Sequence, residues 1–217
     1  MQTLAVLSQK GGVGKSTIAR LMATAYAGAQ WRVKIADFNV KQLTSVDWSA
    51  SRMAAEIQPE VPAEAFSSVK QALRQNLHYD LMVFDGKPDS DVTSLEIARE
   101  SDVILLPAGV SGDDLRPQVK FAHELVSRGV DRARIHFVIN KTLESAASIS
   151  DARGFIEAAG YRVLATDLPS KTGYQLAQNM GRAISESAFA TLNERADALA
   201  QEVVDLMTTH AGTKRVA

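Results

Sequence analysis

Short, continuously apolar runs alternate along this chain with longer stretches in which apolar side chains return at every third or fourth position. The first run, TLAVLS (3–8), leads into STIARLMATAYAGA (16–29), whose apolar residues fall at helical spacing. RVKIAD (32–37) reads as a second strand and is followed by a helix around Val46 to Glu56. Pro-containing sequence then precedes a short strand near Ala63 to Phe66 and the helical pattern SVKQALRQNL. Further strands are predicted at DLMVFD (80–85), DVILLP (102–107), RIHFVIN (134–140) and YRVLATDLP (161–169), separated by helices near 91–100, 113–129 and 147–159, and the chain ends in helices. Strands that are apolar throughout, instead of alternating, are what a parallel sheet covered on both faces requires. The pattern therefore predicts a doubly wound α/β fold with a mostly parallel sheet. No internal repeat or low-complexity segment interrupts it. Residues 1–209 read as one domain, and 210–217 as a frayed tail.

Composition narrows the function classes. A chain of 217 residues is long enough for one well-buried α/β domain and shows no linker that would divide it. No apolar run approaches the roughly 20 residues of a membrane span, and strand-like sequence straight after Met1 lacks the basic and apolar regions of a signal peptide. The expected location is cytoplasmic. The absence of cysteine excludes disulfides, thiolate metal sites and cysteine nucleophiles together. A formal net charge of −1 gives no overall attraction to nucleic acid or anionic lipid, so any such binding needs a local patch.

The densest chemistry lies in SQKGGVGKSTIA, Ser8 to Ala19. Val6, Leu7 and Ser8 close a strand, Gly11-Gly12-Val13-Gly14 lets the chain turn with its N–H groups inward, and Lys15-Ser16 opens a helix. That is a phosphate nest. Lys15 is placed to lie against β- and γ-phosphates, Ser16 to offer its hydroxyl to Mg²⁺, and Thr17 to reach an α-phosphate. A second lysine, Lys10, stands five positions earlier, and one phosphate chain has no evident use for both.

Lys10-Gly-Gly-Val-Gly-Lys15-Ser16 resembles the deviant Walker A box of the ParA/MinD family of dimerising ATPases, a resemblance that extends along most of the chain. It implies a P-loop fold, ATP with Mg²⁺, and a homodimer in which Lys10 crosses the interface to phosphate oxygens of the partner's nucleotide. A second cation at the transferring phosphoryl group is chemically sensible, because such catalysis depends on positioning and on neutralising oxygens.

The same resemblance organises the remaining motifs. LMVFDG (81–86) has the Walker B form, with Asp85 delivered by a buried strand to hold Mg²⁺, through water in part. ADFNVKQLTSVDW matches the first switch segment, in which Asp37 corresponds to the family's first aspartate, near the metal. The second aspartate, which orients or activates the attacking water, is here Asn39. An amide holds water but cannot accept its proton, so hydrolysis is expected to be slow. A naturally slow ATPase and an engineered ATP-trapped form both fit, and Gln42 stands in for the family glutamine if one residue is inserted. Asn140, after the strand FVIN, matches an asparagine that reads the adenine edge, although a turn-forming Asn is the plain alternative. DLPSKTGY (167–174) resembles the loop over the base, with Pro169 rigid within it.

The resemblance implies a spatial-organising switch: an ATP-closed dimer on non-specific nucleoid DNA, released by a cargo-adaptor protein that stimulates hydrolysis, moving a plasmid, a chromosome or a carboxysome. Metallochaperone-like relatives place cysteines at the dimer interface, and this chain has none. A membrane-positioning relative needs a terminal amphipathic helix, and LMTTHAGTKRVA offers only Leu206, Met207 and Val216. Candidate DNA contacts are Lys171, Arg182, Arg195, Lys214 and Arg215, scattered among acidic residues.

Overall fold

The computed structural model describes residues 1–88, 92–143 and 145–216, with side chains described as far as His210. The chain opens with β1 (Gln2–Ser8), α1 (Lys15–Gly28), β2 (Val33–Asp37), α2 (Thr44–Ala54), β3 (Ala63–Ala65) and α3 (Val69–Leu73). The middle holds β4 (Leu81–Pro88), α4 (Val92–Glu100), β5 (Val103–Ala108) and α5 (Gly112–Ser127). The last third adds β6 (Ile135–Thr142), α6 (Ala146–Ala158), β7 (Arg162–Val163), β8 (Leu168–Pro169), α7 (Thr172–Asn179) and α8 (Ala190–Val216).

All the strand pairings are parallel, in the order β3-β2-β4-β1-β5-β6-β7, with β8 also on β6. Successive residues explain why the strands read as uninterrupted apolar runs. On β1, Leu4 and Val6 enter one core while Ala5 and Leu7 enter the other; on β4, Leu81 and Val83 divide from Met82 and Phe84 in the same way. Residues of α1, α2, α7 and α8 fill the first core, and residues of α3, α4, α5 and α6 the second. Each layer supplies the apolar cover that a parallel sheet needs on both faces.

Three expectations change. The run YRVLATDLP does not form one strand. Arg162 and Val163 pair with β6, after which Arg153 donates to the carbonyls of Leu164 and Ala165, and Glu202 accepts from the N–H groups of Ala165 (2.6 Å) and Thr166 (3.0 Å). Side chains from α6 and α8 thus take the place of a ladder until Leu168 returns to Asn140. The helix expected over SVKQALRQNL ends at Leu73, where Gln75 and Asn76 bond only three residues back and tighten the chain into turns. The final helix runs to Val216, through most of the stretch read as a tail.

Candidate functional site

The central strands place the chemistry at their C-terminal ends, where an open parallel sheet forms its crevice. Beyond β1 the chain folds back on itself: the Lys10 N–H donates to the Ser8 hydroxyl oxygen at 3.0 Å, and Gly12 (φ 77°) and Gly14 (φ 96°) adopt left-handed backbone. At Gly14 a side chain is excluded twice, by its φ and by Asn140, whose Nδ2 would lie 2.1 Å from an added Cβ. Gly14 caps α1 and has no side chain with which to accept from the helix's first N–H groups. Gly14 lines a cavity of about 330 Å³ with Gly11, Gly12, Lys15, Ser16 and Thr17.

The two lysines occupy unlike surroundings. Lys15 is buried, its ammonium 3.2 Å from the Lys10 carbonyl oxygen; burial lowers its pKa and Asp85 partly opposes the shift. Lys10 points elsewhere: its side chain is half exposed and paired at 2.5 Å with Asp114, in the first turn of α5, whose carboxylate raises the lysine's pKa.

Asp37 and Asp85 end neighbouring strands in direct register. Asp37 accepts the N–H groups of Asn39 and Ser45, each at 2.9 Å. Asp85 accepts the Ser45 hydroxyl at 2.6 Å through Oδ2, whereas its buried Oδ1 has no partner. Burial pushes the Asp85 carboxyl up to about 6; the Ser45 hydroxyl opposes the shift, the Asp37 charge adds to it, and Ser16 and Arg20 oppose it. Among the described residues no three His, Cys, Asp or Glu side chains converge as a metal cage. Two carboxylates and the Ser16 hydroxyl, with one oxygen left unsatisfied, nevertheless suit a hard cation that keeps its waters and takes phosphate oxygens, as Mg²⁺ does. Gly86 follows at once, and an added Cβ there would lie 2.5 Å from Leu7 Cδ2 and 3.1 Å from the Val6 carbonyl oxygen. Close approach of β4 to β1 is what puts Asp85 beside the loop.

The segment between β2 and α2 closes one wall. Asn39 donates from Nδ2 to Gln42 Oε1 at 2.7 Å, and both line the cavity. Thr17 donates to Gln178 Oε1 at 3.1 Å. Asn140, expected at a base edge, has both amide groups engaged: Nδ2 donates to the Val13 carbonyl oxygen at 2.6 Å and Oδ1 accepts the Lys141 N–H at 2.9 Å. Pro169 is buried in β8 and lines a separate cavity of about 430 Å³ with Thr142, Lys171 and Arg195. Of the basic candidates, Arg195 holds the Asp167 carboxylate at 2.5 Å and Arg182 is exposed; Lys214 and Arg215 lie outside the described side chains.

Sequence reasoning missed Arg20, Gln178 and Lys141, which also line the cavity at the glycine-rich loop, and Ser45, which bridges the carboxylates. Arg20 left a trace, a lone charge on the apolar face of STIARLMATAY. Gln178 and Lys141 had none, because tertiary folding alone brings them to the loop.

The profile of the CobQ/CobB/MinD/ParA nucleotide binding domain matches residues 4–184. The chain belongs to this family. Maintenance of carboxysome distribution protein A from Gloeobacter kilaueensis is 32% identical over 126 residues, which cover 58% of this chain and 57% of that protein. The match therefore spans little more than half of that relative's length. Among solved structures, a Cyanothece McdA variant in complex with ATP superposes with a TM-score of 0.67 at 15% identity, covering 94% of this chain and 96% of that one. A MinC:MinD cell division protein complex from Aquifex aeolicus gives 0.74 at 13% identity, covering 94% and 96%. Both likenesses concern the fold, an α/β P-loop architecture on a parallel sheet. No helix among the described residues is long and apolar enough to cross a membrane.

Proposed function

We propose that this chain is an ATP- and Mg²⁺-dependent dimerising ATPase switch that binds non-specific DNA and positions a cargo body of the carboxysome kind. The observation that carries the reading is the division between its two loop lysines. Lys15 is buried against its own cavity, while Lys10 is half exposed and held outside by Asp114. A half-exposed cation on a phosphate loop is available to a second nucleotide, and a second copy of the chain supplies one. The orphaned Asp85 Oδ1 and the Ser16 hydroxyl would hold Mg²⁺, which neutralises charge on the phosphate chain. Lys15 and the loop N–H groups bind and orient that chain, and Asn39 holds water without taking its proton, so turnover is slow. Cargo choice draws support from the relative whose name concerns carboxysome distribution. A partner that stimulates hydrolysis is part of the same proposal, as is nucleoid association.

Light scattering coupled to size exclusion tests the core of it. ATP with Mg²⁺ is expected to convert monomer to dimer, and Lys10→Ala to stay monomeric while retaining nucleotide. Equal dimerisation of the two proteins overturns the reading.

A further inference from the structure

Arg20 is a buried cation in a helix that packs against the sheet, 6% exposed between Ala19 and Leu21, which are fully covered. Its guanidinium reaches two other helices, α2 and α7. Nη2 donates to the Thr44 carbonyl oxygen at the start of α2, Nη1 donates to Gln178 Oε1 on α7 at 3.3 Å, and the plane lies 5.5 Å from the Trp48 ring centre. Nε is buried without a partner. The nearby charges facing it are Asp85, Asp37 and Asp47, which oppose the lowering of its pKa by burial.

A residue that only filled space here would be apolar, as Ile18 and Met22 are, since burying a guanidinium with one N–H unpaired is unfavourable. The fork instead fixes two atoms that belong to the site. Thr44 precedes Ser45, whose N–H bonds Asp37 and whose hydroxyl bonds Asp85. Gln178 Oε1 accepts from Arg20 and from the Thr17 hydroxyl alike. We propose that Arg20 is a positioning residue of the nucleotide site: through the Thr44 carbonyl it sets the Ser45 bridge over the two carboxylates, and through Gln178 it ties α7 to the head of α1. It acts on the metal-holding groups without being one. Its ligand rests on the nucleotide reading above; its geometry does not.

Two measurements on the full chain test this. In the first, binding of a fluorescent ATP analogue is titrated with Mg²⁺. Arg20→Met is expected to raise the half-effective Mg²⁺ concentration about 10- to 100-fold, the usual effect of removing a group that orients metal ligands. Because Arg20 also lines the cavity, each variant's Mg²⁺ dependence is read against its own Mg²⁺-free affinity. In the second, amide hydrogen exchange is followed without nucleotide. Amides of residues 43–48 should exchange at least about tenfold faster in Arg20→Met, those of β5 at the parental rate. Arg20→Lys keeps the charge and loses the fork, so it should fall between the two, and it carries the test if Arg20→Met does not fold. Parental Mg²⁺ dependence with parental exchange at 43–48, in whichever variant folds, overturns the proposal. A parent chain that binds no ATP analogue overturns the nucleotide reading instead, and the exchange comparison then decides Arg20 by itself.

Discussion

Asp37 and Asp85 stand opposite each other at the ends of adjacent strands, and only Asp37 has its carboxylate met by backbone N–H groups. Asp85 is left with one buried oxygen bare. A carboxyl whose pKa is raised to about 6 when folded, against an ordinary value of 3.8, costs stability at neutral pH and regains it as pH falls through 6 toward 4. Asp85→Asn is therefore expected to stabilise the nucleotide-free chain at pH 7, by up to about 3 kcal/mol, and to lose that advantage by pH 4. The same variant should no longer respond to Mg²⁺. Thermal melts of both proteins across this range are the check, and a destabilised variant at pH 7 refutes the account.

His136 carries the opposite dependence. Burial in β6 depresses its pKa to about 4, with the charges of His210 and Arg162 adding to the shift and the backbone at Ala133 opposing it. The folded chain keeps the ring neutral while the unfolded chain protonates it below about 6.5, so its contribution is complete above that pH and is lost down to about 4. Between pH 7 and pH 4 the parent should lose up to about 3 kcal/mol more than His136→Leu does. Asp85 acts in the same window with opposite sign and cancels in the comparison. Parallel stability curves for the two would remove His136 from the account.

Lys10 and Asp114 form a half-exposed ion pair. Such pairs contribute about 0–1 kcal/mol, too little to lock the lysine away. Asp114→Asn is thus expected to lower the ATP concentration needed for dimerisation by no more than about fivefold, against complete loss of the dimer in Lys10→Ala. Sedimentation velocity over an ATP titration separates the two effects.

At Asn39 the missing chemistry is a proton acceptor. Asn39→Asp is expected to raise phosphate release by about 10²- to 10⁴-fold and to shorten the dimer's lifetime, with nucleotide affinity little changed. If the asparagine protein already turns over as fast, the water-activating group lies elsewhere.

DNA binding, if driven by phosphate neutralisation, should require ATP, ignore sequence and weaken steeply with salt. Arg195→Ala should matter little, because its guanidinium is already committed to Asp167. Arg182→Ala should reduce affinity and flatten the salt slope by about one. Electrophoretic shifts with unrelated duplexes, with ATP and with ADP, test both statements.

What could be read in advance was local. Continuous apolar strands announce a covered parallel sheet, and GGVGKS announces a nest, because cause and effect lie within a few residues of each other. The rest depends on distant side chains. Glu202 and Arg153 replace the strand expected over 161–169, Asp114 takes hold of Lys10, and the Asn140 amide turns onto Val13. A side chain's hydrogen-bonding capacity is written in the sequence; which of its neighbours claims that capacity is not. Ser45 is the clearest case, a residue of ordinary helix-start chemistry that ends up spanning both carboxylates.

The match to the family profile ends at residue 184, yet α8 begins only at Ala190. That helix sends Ala196, Leu199, Ala200, Val203 and Met207 into the core it shares with α1 and β5, and Glu202 supplies acceptors for the backbone at Ala165 and Thr166. Cutting the gene where the similarity ends would uncover an oily flank of the sheet and unfasten its edge, leaving a polypeptide prone to clump. For expression, grafting or fusion work, the smallest usable piece is set by α8 and not by where the profile match ends.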